Sequence, residues 1–335
     1  MLNVAIVGAS GYTGLELVKI LINHPKFNLT YIANSSGDTT IDILHPCLNQ
    51  VINMDVKKAD SLEIAKVATL CFLALPHKTS MSFAKELLNL GVKVVDLSAD
   101  YRLELATYEE HYCTHKDKEN LSSSVYGLPE YYENDIKNAT LIANPGCYPT
   151  ATLLGILPFA EFIDTDTNIF VDAKSGVSGA GKKLNDLTSF VTMNDNIFSY
   201  NPMKHRHMPE IKEKIKLIKN KDFNINFVPH LIPVTRGMLV SVYCTLNTDI
   251  NAKDILNNYY KDSEFVRIRT TPVDIKSTAG TNFCDIFVEQ NGNALFISSS
   301  IDNLLRGASS QAVVNANIMS GYDAGLGINK ISYVP

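Results

Sequence analysis

Val4-Ala-Ile-Val7 is followed by Gly8-Ala-Ser-Gly-Tyr-Thr-Gly14 and then by Leu15-Glu-Leu-Val-Lys-Ile-Leu-Ile22. This order indicates a strand, a glycine loop and a helix whose apolar spacing suits packing on a sheet. Glycines let the backbone approach a pyrophosphate, and free N–H groups at the helix start meet its charge. The spacing is G-x-x-G-x-x-G rather than the commoner G-x-G-x-x-G, so an ordinary βα turn is the alternative. We predict a dinucleotide site at Gly8, Ser10, Gly11, Tyr12, Thr13 and Gly14.

The second strand-like run, Leu29-Thr-Tyr-Ile-Ala33, ends in Asn34-Ser35-Ser36-Gly37. An NAD-binding unit usually places an Asp or Glu there to bind the ribose hydroxyls. No acid stands at this strand end, so a 2′-phosphate is not repelled, and the hydroxyls of Ser35 and Ser36 can donate to it. Asp38, a little further on, weakens the inference. We therefore expect NADP rather than NAD.

The rest of the first half continues the alternation of strands and helices. Residues 67–75 and 92–97 read as buried strands, residues 80–89 as a helix, and residues 140–143 as a last strand. Such alternation predicts a parallel, doubly wound sheet. Ligands bind such sheets at the carboxyl ends of the strands, and Pro76 follows one of those ends.

Composition restricts the class of protein. A chain of 335 residues is long enough for two domains, and its net charge of −5 without a basic run argues against nucleic acid and anionic membranes. The six cysteines lie far apart and form no C-x-x-C pair, so we expect no metal site. With no leader-like start and no long apolar run, we expect a cytoplasmic enzyme acting on small molecules.

A cysteine lies between residues that disfavour a helix and an apolar helical run. The sequence is Asn144-Pro-Gly-Cys-Tyr-Pro149, followed by Thr150-Ala-Thr-Leu-Leu-Gly-Ile-Leu157. Because proline is tolerated in a first turn and Gly146 frees the backbone before it, Cys147 should lie at or beside the helix N-terminus. There the helix favours a thiolate and can also hold an oxyanion. A small buried apolar residue is the alternative. We predict a nucleophile.

Two later stretches could supply groups that assist the predicted nucleophile, one by binding phosphate and the other by accepting a proton. Ser175-Gly-Val-Ser-Gly-Ala-Gly-Lys-Lys183 is a polar loop that could bind phosphate or be a mobile connection. In His205-Arg-His-Met-Pro-Glu210 the two histidines project to the same side if the backbone is extended, with Glu210 near enough to orient one. A surface pair is the alternative, but a thiolate enzyme needs a general base of near-neutral pKa. His205 and His207 both stay candidates.

The remaining chain reads as β-rich. Residues 227–230, 236–245, 281–288 and 294–298 are sheet-like, residues around 252–259 form a helix, and residues 302–319 form a long helix that returns to the first domain. We therefore predict an α/β fold. A doubly wound Rossmann domain spans residues 1–146 and is completed by residues 303–335. An α+β catalytic and dimerisation domain with a mainly antiparallel sheet spans residues 147–302.

Seven stretches, in order along nearly the whole chain, resemble the N-acetyl-gamma-glutamyl-phosphate reductase family of arginine biosynthesis. They begin at Gly8 and continue with Asp96-Leu-Ser-Ala-Asp-Tyr-Arg102, Tyr126-Gly-Leu-Pro-Glu130, the Cys147 stretch, Ser175-Gly-Val-Ser-Gly179, the His205 stretch and Asp302-Asn-Leu-Leu-Arg-Gly307. Two minor departures are Tyr101 and Arg306, where phenylalanine and lysine are commoner. The resemblance implies an oligomeric, NADP-dependent acyl-phosphate reductase, a homodimer or homotetramer, with a fold like aspartate-semialdehyde and glyceraldehyde-3-phosphate dehydrogenases.

The resemblance also implies site residues. Cys147 would be the nucleophile, and His205 or His207, together with Glu210, would manage the proton. We expect further cofactor contacts from Pro76, Ser178, Gly179 and Asn315. Candidates for the departing phosphate are Arg102, Ser175, Ser178 and Lys182, and Arg236 is the candidate for the substrate carboxylate, because a guanidinium fork suits planar oxyanions.

The expected reaction runs through a thioester on Cys147. The thiolate displaces phosphate from N-acetyl-glutamyl phosphate, and hydride from NADPH then yields the semialdehyde. Reductases of aspartyl phosphate or of the one-carbon-longer N-acetyl-aminoadipyl phosphate are alternatives, because one methylene gives only about 1–3 kcal/mol of discrimination. A non-catalytic NADP-binding redox sensor is an alternative of another class, but it would not need the histidine–glutamate cluster.

Overall fold

The chain forms two compact units in a computed structural model that describes residues 1–333. The first unit comprises Met1–Pro145 and Ala308–Ile328, and the second comprises Gly146–Gly307 with the described residues from Asn329 onward. Residues 303–307 and 329–333 therefore belong to the second unit rather than to the first, where the sequence analysis assigned them. The chain passes from the first unit to the second one residue before the predicted boundary.

The strands and helices are as follows. The strands are β1 (Leu2–Val7), β2 (Phe27–Asn34), β3 (Thr39–Thr40), β4 (Asp55–Lys58), β5 (Leu70–Leu73), β6 (Lys93–Asp96), β7 (Val125–Tyr126), β8 (Leu141–Ala143), β9 (Asn168–Gly176), β10 (Phe198–Ser199), β11 (Asn224–Ile232), β12 (Met238–Thr245), β13 (Val266–Ile268), β14 (Cys284–Asn291) and β15 (Ala294–Ile301). The helices are α1 (Tyr12–Leu21), α2 (Ile41–Leu44), α3 (Ser61–Val67), α4 (Ser80–Asn89), α5 (Leu105–His111), α6 (Lys118–Leu121), α7 (Pro129–Asn138), α8 (Cys147–Ile156), α9 (Phe190–Met193), α10 (His207–Lys219), α11 (Ala252–Tyr259) and α12 (Ser309–Met319). Short 3-10 helices lie between these elements, at Pro46–Leu48, Leu157–Phe159, Val177–Ala180 and Asp186–Thr188.

The first unit is the predicted doubly wound sheet. Its strand order is β3-β4-β2-β1-β5-β6-β8-β7, and every pairing is parallel except that of β3 with β4. Val4 to Val7 are fully buried because helices cover both faces of the sheet. The predicted strand over residues 67–75 is shorter in the structure, since Val67 ends α3. Strand β4 was not predicted, because only Val56 among its four residues is buried.

Helix α12 completes this unit and is buried along its whole length. Ser309 Oγ donates to the carbonyl of Thr13 at 2.9 Å, next to the glycine loop. The helix begins at Ser309 rather than at the predicted residue 302. Asp302 instead forms a turn, in which its Oδ1 accepts the N–H groups of Leu304 and Leu305 at 2.8 and 3.0 Å.

The second unit contains a seven-stranded sheet in the order β10-β11-β9-β12-β15-β14-β13. Four of its pairings are antiparallel, and β9 with β11 and β13 with β14 are parallel, so the predicted mainly antiparallel sheet is confirmed. Helix α8 packs on β12 and β15, and Ser299 Oγ donates to the carbonyl of Ala151 at 2.7 Å. Within residues 1–333, no helix has the length and apolarity to span a bilayer, and no cluster of potential metal ligands occurs.

The glycine loop generates a stability prediction. A Cβ at position 14 would lie 2.4 Å from the carbonyl oxygen of Gly8 and 2.7 Å from the Cα of Ala9, so Gly14→Ala forces α1 away from the loop. We expect the thermal unfolding midpoint of the cofactor-free protein to fall by roughly 3–10 °C in calorimetry, since overpacking costs about 1–3 kcal/mol.

Gly11→Ala is the matched control in the same loop. Gly11 has an extended backbone with φ −81°, and the nearest atoms to an added Cβ lie 3.9 and 4.0 Å away. Its midpoint should therefore stay near that of the unaltered protein. Equal midpoints for the two variants would contradict the close packing of Gly14.

Candidate active site

A cavity of about 170 Å³ lies beside Cys147 in the second unit. Its walls combine the thiol, the predicted histidines, part of the polar loop and a later segment around Asn185. The lining residues are Cys147, Tyr148, Ser175, Gly179, Ala180, Asn185, Leu187, Thr188, Tyr200, His205, Arg206, His207 and Leu231.

Cys147 is the first residue of α8, as predicted, and Gly146 is its N-cap in an extended conformation. The thiol side chain is partly exposed, whereas the nine residues after it in the helix are buried. Gly307 packs so closely that a Cβ there would lie 2.6 Å from the Cβ of Cys147. Cys147 is therefore a fixed nucleophile candidate at a helix N-terminus, where an anion is stabilised.

Glu210 connects this helix start to α10. Its side chain is buried, and Oε1 accepts a hydrogen bond from the N–H of Gly146 at 3.0 Å. We predicted that Glu210 would orient a histidine. That role stays a prediction, and the bond to Gly146 shows that Glu210 also anchors the residue immediately before the nucleophile.

The histidine pair is close, but not for the reason predicted. His207 begins α10, so the backbone is not extended through both residues. The two ring centroids nevertheless lie 4.9 Å apart, and both rings meet Tyr148 edge to face. Both side chains are buried and line the Cys147 cavity.

The two histidines differ in their surroundings. Nδ1 of His205 accepts the N–H of His207 at 3.1 Å, so a neutral His205 carries its proton on Nε2. Burial lowers the pKa of His205 to about 4, and the nearby charge of Arg206 lowers it further in the same direction. His205 is therefore an uncharged N–H donor at neutral pH, whereas a general base has to accept a proton.

Two tyrosines that the sequence analysis did not select complete the wall. The hydroxyls of Tyr148 and Tyr200 lie 3.1 Å apart, and Tyr148 also donates to the carbonyl of His230 at 3.4 Å. Burial raises the pKa of both phenols, that of Tyr200 to about 12, so both are neutral hydrogen-bonding groups. Tyr148 adjoins Cys147 in sequence and could have been noticed, but nothing in the sequence marks Tyr200.

The predicted anion-binding residues separate into those at the cavity and those elsewhere. Ser175 lines it, as does Gly179, which was predicted as a cofactor contact, whereas Ser178 accepts a hydrogen bond from Asn303 Nδ2 at 2.9 Å and Lys182 is exposed. Arg236 forms an ion pair with the buried carboxylate of Asp302 at 3.1 Å and is not among the lining residues.

Arg206 is the lining cation that sequence reasoning overlooked. It lies between the two histidines and is exposed. Its place between His205 and His207 in the sequence is the signal that could have identified it. Its guanidinium group is a candidate for binding an anionic group of the substrate.

The remaining predicted residues lie in the first unit. Arg102 donates from Nε to the carbonyl of Asn144 at 2.7 Å and from Nη2 to that of Leu97 at 2.8 Å. Asn315 is fully buried and donates to the carbonyl of Gly127 and to Asn144 Oδ1, at 2.9 and 3.0 Å, and its cofactor contact stays a prediction. Ser35, Ser36 and Pro76 are exposed.

The glycine loop has the conformation that a dinucleotide needs. Gly8 has φ +100°, and a Cβ there would lie 2.2 Å from the carbonyl oxygen of Ala74. Nε2 of the buried His45 is 2.7 Å from the carbonyl oxygen of Ala9, and this hydrogen bond holds the backbone of the loop in place. An added Cβ at Gly11 would make only ordinary van der Waals contacts, at 3.9 and 4.0 Å, so no atom crowds the start of α1, where a phosphate group could bind.

Comparison with known families agrees with this division of the chain. Residues 3–139 match the family model described as "Semialdehyde dehydrogenase, NAD binding domain", and residues 147–303 match "Semialdehyde dehydrogenase, dimerisation domain". An aspartate semialdehyde dehydrogenase II from Vibrio cholerae, complexed with ASA, has a similar fold, with a TM-score of 0.74 and 18% identity over 96% of this chain and 98% of that one. Fold and site thus define an oxidoreductase of the semialdehyde dehydrogenase class.

Curated relatives narrow the class. This chain is 64% identical to an N-acetyl-gamma-glutamyl-phosphate reductase of Sulfurovum sp., with 100% of both chains covered. It is 57% identical to that of Sulfurimonas denitrificans, over 100% of this chain and 99% of the relative. The chain belongs to the N-acetyl-gamma-glutamyl-phosphate reductase family.

The contact between Glu210 and Gly146 generates a prediction about the thiol. Glu210→Ala leaves the N–H of Gly146 without this acceptor and loosens the start of α8. We expect the rate of Cys147 alkylation by iodoacetamide, followed by mass spectrometry at fixed pH, to fall roughly fivefold, because helix-terminus stabilisation of an anion is worth about 0.3–2 kcal/mol.

Glu210→Gln provides the matched control. Its side-chain carbonyl can accept the same hydrogen bond, so its alkylation rate should stay close to that of the unaltered protein. If both variants react at the same reduced rate, the acceptor oxygen is not what positions the helix start.

Proposed function

We propose that this protein catalyses the NADPH-dependent reduction of N-acetyl-L-glutamyl 5-phosphate to N-acetyl-L-glutamate 5-semialdehyde and phosphate in arginine biosynthesis. The observation that carries the proposal is the partly exposed thiol of Cys147 at the start of α8, in one cavity with two histidines. Full-length relatives of 52–64% identity that carry the corresponding name support the choice of substrate.

The first chemical step uses the helix start. The Cys147 thiolate adds to the acyl carbon, a C–S bond forms, and the C–O bond to phosphate breaks with its electron pair leaving on phosphate. N–H groups at the start of α8 stabilise the oxyanion that forms in between. NADPH, held by the glycine loop from Gly8 to Gly14, would supply the hydride for reduction of the acyl group to the aldehyde.

Proton transfer is assigned to His207. Nδ1 of His205 already accepts the backbone N–H of His207, and its low pKa keeps His205 neutral. His207 is the remaining imidazole at the cavity. It takes the proton of the Cys147 thiol and returns it to the departing phosphate, while His205 donates a hydrogen bond from Nε2.

The anionic groups of the substrate need cationic and N–H partners. Arg206 and Ser175 line the cavity and support binding of such groups there. Arg102, Lys182 and Ser178 stay candidates for the phosphate on the chemistry of their side chains. Arg236 is a weaker candidate for the carboxylate, because its ion pair with Asp302 engages the guanidinium group.

NADP is the proposed cofactor. The conformation of the glycine loop supports a dinucleotide at Gly8, Ser10, Gly11, Tyr12, Thr13 and Gly14. The exposed Ser35 and Ser36, and the absence of an acid at the end of β2, support a 2′-phosphate.

The proposed assembly is a homodimer or homotetramer in the cytoplasm. Phe170 and Tyr243 are about half exposed, with fractions of 51% and 48%, and are direct neighbours across β9 and β12. Phe296 adjoins Tyr243 on β15, so three aromatic rings form a row on one sheet face. Such an exposed apolar face suits a second copy of the chain. All six cysteines are free, as a reducing compartment would keep them.

A reverse assay tests the reaction and its nucleophile. With N-acetyl-glutamate semialdehyde, NADP and phosphate, the unaltered protein should produce NADPH only when phosphate is present. Cys147→Ser should reduce the rate at least about a thousandfold while NADPH still binds, because the covalent route is lost.

The exposed Cys47 supplies the control, since Cys47→Ser should leave the rate unchanged. Parallel assays with aspartate semialdehyde and N-acetyl-aminoadipate semialdehyde, both expected to be poorer substrates, identify the acyl group. Full activity of Cys147→Ser would disprove the thioester route, and absence of any turnover in the unaltered protein would favour a redox sensor.

The histidines are distinguished by the pH dependence of kcat/KM. Because the pKa of His205 is lowered to about 4, this residue stays neutral above about pH 5. Its protonation therefore causes no change of kcat/KM with pH near neutrality. His207→Gln should lose about 100- to 10,000-fold in kcat/KM, as expected for removal of a general base, whereas His205→Gln should be slower with an unchanged pH profile near neutrality. A pH profile near neutrality that changes only in His205→Gln would reverse the assignment.

A further inference from the structure

Lys58, the last residue of β4, lies beside the turn that follows β2. We propose, building on NADP as the cofactor, that the ammonium group of Lys58 binds the 2′-phosphate and makes the protein select NADP over NAD. From the sequence, Ser35 and Ser36 were the residues expected to bind this phosphate. Lys58 lies more than twenty positions further along the chain, and strand pairing brings it to the same place.

The backbone of Lys58 is fixed against the turn by several contacts. Asn34 and Lys58 are register partners in the parallel pair of β2 and β4, and the N–H of Ala59 donates to the carbonyl of Asn34 at 2.9 Å. The Tyr31 hydroxyl donates to the carbonyl of Lys58 at 3.0 Å. Gly37 is so close that a Cβ there would lie 2.5 Å from the N and 3.2 Å from the Cα of Lys58.

Strand geometry determines the face on which each neighbouring lysine lies. Successive side chains point to opposite faces of a sheet, and register partners in a parallel pair share a face. Lys57 lies on the Tyr31 face, with its Nζ 5.3 Å from the centre of that ring. Lys58 therefore lies on the Asn34 face. It is exposed and forms no ion pair with any residue from 1 to 333.

The turn itself provides hydrogen-bonding groups but no positive charge. Asn34 Oδ1 accepts the N–H groups of Ser36 and Gly37 at 3.0 and 2.6 Å, and the hydroxyl of Ser36 at 3.3 Å. These bonds fix the turn and use the hydroxyl proton of Ser36. Ser35 is therefore the serine whose hydroxyl can donate to a bound phosphate. The charged residue within the turn is the acidic Asp38.

A 2′-phosphate needs a cation at this position, because its two negative charges would otherwise be met by hydroxyl dipoles and by Asp38. In dinucleotide-binding sheets the end of the second strand is where the adenosine ribose lies, and a nearby basic residue accommodates the phosphate. Lys58 is the basic residue that the register places at this strand end and on this face. An ammonium group binds phosphate as a point charge and needs no bidentate geometry.

Direct binding tests the proposal without turnover. NADPH and NADH are titrated separately into the protein, without substrate, and affinity is read from nicotinamide fluorescence. Lys58→Gln should weaken NADPH binding about tenfold, the lower range for a hydrogen bond to a charged group, and leave NADH binding unchanged. The salt dependence of NADPH binding should decrease in the same variant.

Lys57→Gln is the matched control, with the same charge change on the adjacent residue and the opposite face. It should change neither affinity, and thermal unfolding should show that both variants are folded. Equal losses in the two variants, or a Lys58→Gln loss shared by NADPH and NADH, would overturn the role of Lys58. Two failures are distinguishable: if the unaltered protein binds NADH as tightly as NADPH, the NADP proposal itself fails, whereas preserved selectivity in Lys58→Gln refutes only the role of Lys58.

Discussion

The start of helix α8 is the constraint on which the proposed chemistry depends. A thiol becomes a useful nucleophile when its anion is stabilised, and the N-terminus of a helix supplies that stabilisation through unpaired N–H groups and the helix dipole. Gly146 allows the extended turn into the helix, Glu210 holds its N–H, and Gly307 allows close packing on Cys147. Three separate parts of the second unit thus fix the position of Cys147.

Burial divides the work between the two histidines. Both rings are enclosed by aromatic side chains, yet the Nδ1 atom of His205 is engaged by the backbone of the residue two positions later. The positive charge of Arg206 makes protonation of His205 still less favourable. One sequence motif therefore places a neutral N–H donor, a second imidazole and a cation at one cavity, and the proposed roles differ because His205 is the imidazole engaged by the backbone.

Much of the fold followed from the sequence because buried parallel strands and capped helices leave a strong apolar periodicity. Helices α4 and α11 were predicted to the residue, and the helix start at Cys147 was predicted from proline and glycine chemistry. Strand β4 was missed because three of its four residues are polar or charged, and the start of α12 was missed because the turn at Asp302 depends on side-chain bonds. The Glu210–Gly146 bond and the Tyr148–Tyr200 hydroxyl pair were not predicted, because each joins residues more than fifty positions apart in the chain.

The two-segment composition of the first unit has a consequence for biosynthesis. Its sheet is complete by residue 143, but α12, whose eleven residues are all buried, is made only after residues 146–307 of the second unit. A nascent chain thus exposes the apolar surface that α12 later covers for as long as the ribosome needs to make more than 150 residues. At about 5–20 residues per second, that interval is on the order of ten to thirty seconds, during which chaperones can bind the uncovered surface.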